Sequence, residues 1–243
     1  MKIISLVPSI TETLIDFGLN ENQITGRTKF CIHPKSVVGK IEIIGGTKNL
    51  NIEKIKSLKP DLIIANKEEN TKESIEKLAK NFKVWVTQIQ NIEDNYYFLK
   101  KLGQILHQQE RAQLFNLKTY EVLQENTLTK PLKTAYLIWQ KPYMTVGRDT
   151  FINDVLQNLG FENIFKHKNR YPIIEIDDLK DAEIIMLSSE PFPFKENHIE
   201  ELNKIYPDKS IILVDGETFS WFGSRIAKSG NYFNNLIHKI DNP

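Results

Sequence analysis

Leu58-Lys-Pro-Asp-Leu-Ile-Ile-Ala-Asn-Lys-Glu68 reads as the end of a helix, a proline break, a buried strand and a polar loop closing on a glutamate. The pattern returns as Leu179-Lys-Asp-Ala-Glu-Ile-Ile-Met-Leu-Ser-Ser-Glu190, with one inserted residue. Downstream, Ile75-Glu-Lys-Leu78 matches Ile199-Glu-Glu-Leu202, and Val84–Val86 matches Ile211–Leu213. Two similar α/β lobes are one reading. The other is that any two strand–helix–strand units look alike at this level.

Around the first copy, residues 2–7 read as a buried strand. A helix follows to about Phe17, with Ser9 as N-cap, Glu12 completing a capping box, and Gly18 just past the end. Residues 51–59 read as a helix, 61–65 as a strand, 71–81 as a helix and 83–87 as a strand. Such alternation signals a parallel sheet. After Pro131 it resumes, with strands at 134–139, 183–188 and 210–214. Helices are expected at 149–159, opened by Asp149, then at 196–204, and from about Ser224 to Lys239.

Between these blocks, residues 92–127 carry apolar residues at helical spacing: Leu99, Leu102, Ile105, Leu106, Leu114, Leu117 and Val122. The spacing predicts a helix to about Leu106, a bend near His107–Gln109 and a second helix to about Asn126. A helix of roughly 18 residues spans about 27 Å, enough to join two lobes stiffly. The expected architecture is therefore α/β: two parallel-sheet, Rossmann-like lobes joined by a rigid backbone helix, with a ligand cleft between them. The divisions are 1–91 for the N-terminal lobe, 92–130 for the helical connector and 131–243 for the C-terminal lobe.

Composition narrows the function class. Hydrophobic residues make up 40% and charged residues 26%. Lys+Arg total 32 against 31 Asp+Glu, a formal net charge of +1. That balance gives no nucleic-acid footprint. No run approaches the roughly 20 apolar residues of a membrane span. The opening Lys2-Ile-Ile-Ser-Leu-Val7 stops at Pro8, short of the about 7–15 apolar residues of a secretory leader. Arg27-Thr-Lys-Phe-Cys31 lacks the apolar stretch of a lipoprotein site. As written, the chain is expected in the cytoplasm; a leader outside it would make the protein periplasmic or surface-held. With Cys31 as the one cysteine, no intramolecular disulfide forms.

Ligands of open parallel sheets sit beyond the carboxyl ends of the strands. Four loops there are unusually polar: Pro8–Thr11, Asn66–Asn70, Ser188–Phe194 and Asp215–Arg225. Glu68 and Glu190 hold matching places in the two copies, and carboxylates gathered in a cleft tend to be functional. Cys31 and His33 are two apart and share a face in an extended segment. Thiolate and imidazole together suit zinc, copper or iron. The alternatives are a histidine that activates the thiol, or a buried cysteine beside a loop histidine. Trp139, Phe192, Phe194 and Trp221 offer stacking surfaces, and Arg225 a fork for a carboxylate or phosphate. Neither a phosphate loop nor a Ser–His–Asp or His-Glu-x-x-His pattern appears.

Ser5-Leu-Val-Pro-Ser-Ile-Thr-Glu-Thr-Leu14, Gly45-Gly-Thr-Lys-Asn49, Asn51-Ile-Glu53 and Leu58–Ala65 together resemble the helical-backbone metal receptors. These are the substrate-binding components of ABC importers for cobalamin, haem and iron–siderophore chelates. A cobalamin-binding-like subgroup is similar at Thr28–Pro34, Ala65–Asn70, Ser188–Phe194 and Asp215–Arg225. The resemblance implies a binding protein rather than an enzyme, holding a corrinoid, haem, iron chelate or transition metal, with an ABC permease as partner if exported. The loops and the resemblance together nominate Ser9, Lys29, Cys31, His33, Lys48, Asn66, Glu68, Trp139, Glu190, Phe192, Glu217, Trp221 and Arg225 as ligand contacts. Cys31, His33, Glu68 and Glu190 are the metal candidates. The competing reading is a metal-handling enzyme, such as a chelatase, which also gathers His and Glu in a cleft.

Overall fold

The computed structural model describes residues 1–241. They form two compact units. The first comprises Met1–Ile89, Asp94–Asn116 and the short segment Trp221–Arg225; the second comprises the rest.

In the first unit, β1 (Ile3–Ser5), α1 (Pro8–Asp16), β2 (Ile24–Arg27), α2 (Lys35–Val38), α3 (Ile52–Leu58), β3 (Leu62–Asn66), α4 (Lys72–Ala79) and β4 (Val84–Thr87) follow one another. The sheet order is β2-β1-β3-β4, all parallel. Ile4 and Leu6 pack with Ile63, Ala65, Ile44, Ile55 and Leu78 into one apolar cluster. Burying each large side chain contributes about 1.5–3 kcal/mol. Asn51 caps α3 by accepting from the Lys54 N–H, and Thr71 caps α4 by accepting from Ser74. Helix α1 corrects the expected capping box. It starts at Pro8, whose missing N–H costs nothing in a first turn. Val7 is the N-cap and makes no side-chain bond. Ser9 lies inside the turn, its carbonyl accepting from Thr13 Oγ1. Gly18 follows with φ +91°, as a helix end favours.

Helices α5 (Ile92–Leu106) and α6 (Gln109–Glu125) meet at the expected corner, where His107 takes φ 55°. The corner is tight: a Cβ on Gly103 would lie 2.6 Å from that of Ala112. The boundary between units falls inside both helices.

The second unit contains β5 (Leu132–Trp139), β6 (Tyr143–Thr145), α7 (Phe151–Asn158), β7 (Phe161–Asn163), β8 (Ile173–Ile174), β9 (Ile184–Ser188), α8 (Glu196–Asn203), β10 (Ser210–Val214), α9 (Gly216–Ser220) and α10 (Gly230–Asp241). Its sheet runs β10-β9-β5-β6-β8, with β7 also on β5. This sheet is mixed, not purely parallel: β6 is antiparallel to β5 and β8. The hairpin residues Lys141-Pro142 carried no periodic signal strong enough to announce it. Two further corrections concern helix starts. Thr150, not Asp149, caps α7, while the Asp149 carboxylate accepts from the Arg170 N–H. The final helix starts at Gly230 rather than Ser224, after α9 and a 3-10 turn at Ile226–Lys228. Ala135, Leu137, Leu179, Ile185, Leu187 and Leu202 centre the apolar core.

Candidate functional site

At the carboxyl edge of the first unit's sheet, β1, β2 and β3 release Leu6–Pro8, Thr28–Pro34 and Lys67–Asn70. Buried Asn70 ties the first and third of these loops to each other and to Thr47. Its Nδ2 donates to the carbonyls of Leu6 at 3.2 Å and Thr47 at 3.0 Å, and its Oδ1 accepts from the Asn66 N–H. Asn66 in turn accepts from the Glu68 N–H at 2.8 Å and donates to Thr87. Asn66 is thus a brace for the loop. Lys48 Nζ donates to the Glu68 carbonyl, so the two nominated residues do meet, through the main chain. Glu68 is half-buried. Beside it, Glu69 has its carboxyl pKa raised, first by burial; Lys48 opposes the rise and the neighbouring Glu68 charge adds to it.

The Thr28–Pro34 loop separates the two residues once paired by spacing. Cys31 turns inward, 1% exposed, its Sγ accepting from Thr11 Oγ1 at 3.0 Å and lying 3.3 Å from Thr28 Oγ1. Burial pushes its thiol pKa up, and the threonine contacts only partly oppose that. His33 is half-buried and meets Trp221 edge-on, ring centroids 5.6 Å apart. Lys29 is exposed, its ammonium 5.0 Å from the Phe30 ring, and Phe30 is 50% exposed. Among the described residues no group of three His, Cys, Asp or Glu is arranged to hold a metal ion.

Trp221–Arg225 is built into this unit by polar contacts. The Gly223 N–H donates to Asn95 Oδ1 at 2.6 Å, and Asn95 Nδ2 returns a bond to the Gly223 carbonyl. The Ser224 N–H donates to Thr13 Oγ1. Arg225 Nε lies 2.9 Å from Glu12 Oε2, and its guanidinium stacks 4.5 Å from the Trp221 centroid.

In the second unit, the loop after β9 carries Glu190. Its Oε1 accepts from Ser220 Oγ at 2.9 Å, and its carbonyl from Ser188 Oγ. Ser188 is reached from below by the hydroxyl of fully buried Tyr136. Trp139, 39% exposed, meets Phe192 edge-on at 5.7 Å, and Phe192 packs on Phe194 and His198. Glu217 is half-buried in α9, where Asp215 accepts from its N–H.

Residues 3–189 match the model of a family described as periplasmic binding proteins. The chain belongs to that family. A vitamin B12-binding protein of Vibrio vulnificus is 30% identical over 186 residues, covering 73% of this chain and 67% of the relative. An uncharacterised ABC transporter substrate-binding lipoprotein of Bacillus subtilis is 30% identical over 176 residues, covering 67% of this chain and 54% of the relative. The crystal structure of a periplasmic vitamin B12 binding protein of Vibrio cholerae shares the fold. Its TM-score is 0.81 over 100% of this chain and 98% of that one, at 21% identity.

Within this binding-protein fold, the sequence reading missed Glu12, Phe30 and Glu69. Glu12 was assigned to a cap, yet it sits buried on α1 and faces a residue 213 positions later. Nothing local announces such a partner. Phe30 lies within Thr28–Pro34, but an exposed aromatic cannot be told from a core one by type alone.

Proposed function

We propose that this periplasmic binding protein is the substrate-binding component of an ABC importer and takes cobalamin or a comparable flat metal chelate. The observation that carries the reading is the set of planar side chains beside the carboxyl edge of the first sheet: Phe30 half out of the fold, and His33 edge-on to Trp221. Flat aromatic surfaces suit a macrocycle better than a small hydrophilic anion. The B12-binding relatives support the same ligand class.

In the first unit, taken by itself, Ser9, Lys29, His33, Lys48 and Glu68 are proposed as ligand contacts; in the second, taken by itself, Trp139, Glu190, Phe192 and Glu217 are proposed. Cys31 is proposed as a structural residue, given its two threonine contacts. Binding without covalent chemistry is favoured over a chelatase because the relatives are named as binding proteins. A periplasmic or cell-surface location and a permease partner are proposed with it; the names of the relatives, one of them a lipoprotein, support both. No helix among the described residues is long and apolar enough to cross a membrane.

Calorimetric titration with cyanocobalamin and with haemin, alongside mass spectrometry of whatever copurifies, tests the ligand. Saturable one-to-one binding of either is expected. Binding of neither, with an unrelated molecule copurifying, would overturn the reading. Fractionation of the native cells tests the location.

A further inference from the structure

Trp221 is only 8% exposed, yet it is the residue against which His33 rests. What fixes the indole is therefore what fixes that part of the site. One contact is the Arg225 guanidinium at 4.5 Å. An arginine side chain carries about 2 kcal/mol of rotamer entropy and would not stay over one ring unaided. Glu12 holds it there: the Nε–Oε2 distance is 2.9 Å, and the two side chains are 16% and 7% exposed for Arg225 and Glu12. Glu12 is itself buried on α1, one residue before Thr13, whose hydroxyl accepts from the Ser224 N–H and donates to the Ser9 carbonyl. A nearly buried ion pair is poor evidence of net stabilisation, because desolvation offsets the attraction. Its geometric effect is the clearer consequence.

We propose that Glu12 is a positioning residue of the binding site. It orients Arg225, Arg225 sets the plane of Trp221, and Trp221 sets the edge on which His33 packs. Glu12 touches no ligand in this arrangement. The ligand arm of the test rests on the proposed function; the spectroscopic arm does not.

The chain has three tryptophans, so a Trp85→Phe/Trp139→Phe background leaves Trp221 as the sole indole emitter. In that background Glu12→Gln should move Trp221 emission to longer wavelength and increase its quenching by acrylamide. Glu12→Asp should recover part of the change. Arg225→Lys keeps the charge but loses the flat face, and should behave like Glu12→Gln. With all tryptophans present, Glu12→Gln should weaken cyanocobalamin binding about tenfold, as expected for a misaligned polar support. A pair that merely fastened the chain would lower the unfolding midpoint and leave folded-state emission and quenching unchanged; that result in both variants overturns the proposal. Should Glu12→Gln fail to fold, Arg225→Lys decides. Should the wild type bind neither cyanocobalamin nor haemin, the ligand class falls, and Trp221 emission still decides the role of Glu12.

Discussion

Gly223 lies so close to Thr13 that a Cβ added to it would stand 2.0 Å from the threonine Oγ1. Its φ of +90° is also one that other residues rarely adopt. Both effects act on the same residue, so Gly223→Ala should destabilise the fold by about 2–4 kcal/mol. Urea unfolding measures it; a loss below about 1 kcal/mol would mean the segment can shift without penalty.

Removing Arg225 leaves Glu12 as a buried carboxylate without its counter-charge. Arg225→Ala should cost about 3 kcal/mol, more than the double variant Glu12→Gln/Arg225→Ala, in which no charge is stranded. A double-mutant cycle on unfolding free energies reads this directly. Simple additivity would show that the pair is not coupled.

The Cys31 thiol is buried and its pKa raised, so thiolate is scarce in the folded state. Alkylation by iodoacetamide at pH 8 should be slow until denaturant is added. The sign for stability follows. The folded state keeps its proton to higher pH than the unfolded chain. This contribution is therefore complete below the unfolded thiol pKa of about 8.5 and declines as pH rises through the folded value. Cys31→Ala should flatten that alkaline decline in unfolding free energy.

His33→Ala and Glu190→Gln are each expected to weaken cyanocobalamin binding by about 1–3 kcal/mol while leaving the unfolding midpoint nearly unchanged. Calorimetry with thermal denaturation on the same samples separates the two quantities. Full affinity in both variants would remove these residues from the proposed site.

The parallel strands were legible because each is a short apolar run between turn residues: Ile63 and Ile64, or Ile184 through Leu187, have no other place to go. The His107 corner was legible because the apolar spacing lapses there. The hairpin made by Tyr143–Thr145 was not, since a three-residue strand carries too little pattern to register. Ser9 and Asp149 show a different failure. Both are good capping residues, but Val7 and Thr150 are the caps, and helix boundaries shifted by one or two residues lie below what local spacing resolves. At the site, the polar loops were found because polarity beyond a strand end is a local property. The facing of Cys31 toward Thr11, and of Glu12 toward Arg225, is not local. Neither pair shares a segment, so no reading by spacing reaches them.

Because Thr13 is bonded to Ser224, 211 positions later, the first unit depends on residues that leave the ribosome long after α1. At typical elongation rates the partner of α1 arrives about 10–40 s after α1 itself. Until then Glu12 and Thr13 have neither Arg225 nor Ser224 to meet. A nascent or truncated chain ending before Trp221 would therefore expose an unfinished helix face for that whole interval, and chaperone dependence should track the emergence of Trp221–Arg225 rather than that of the segment Met1–Ile89.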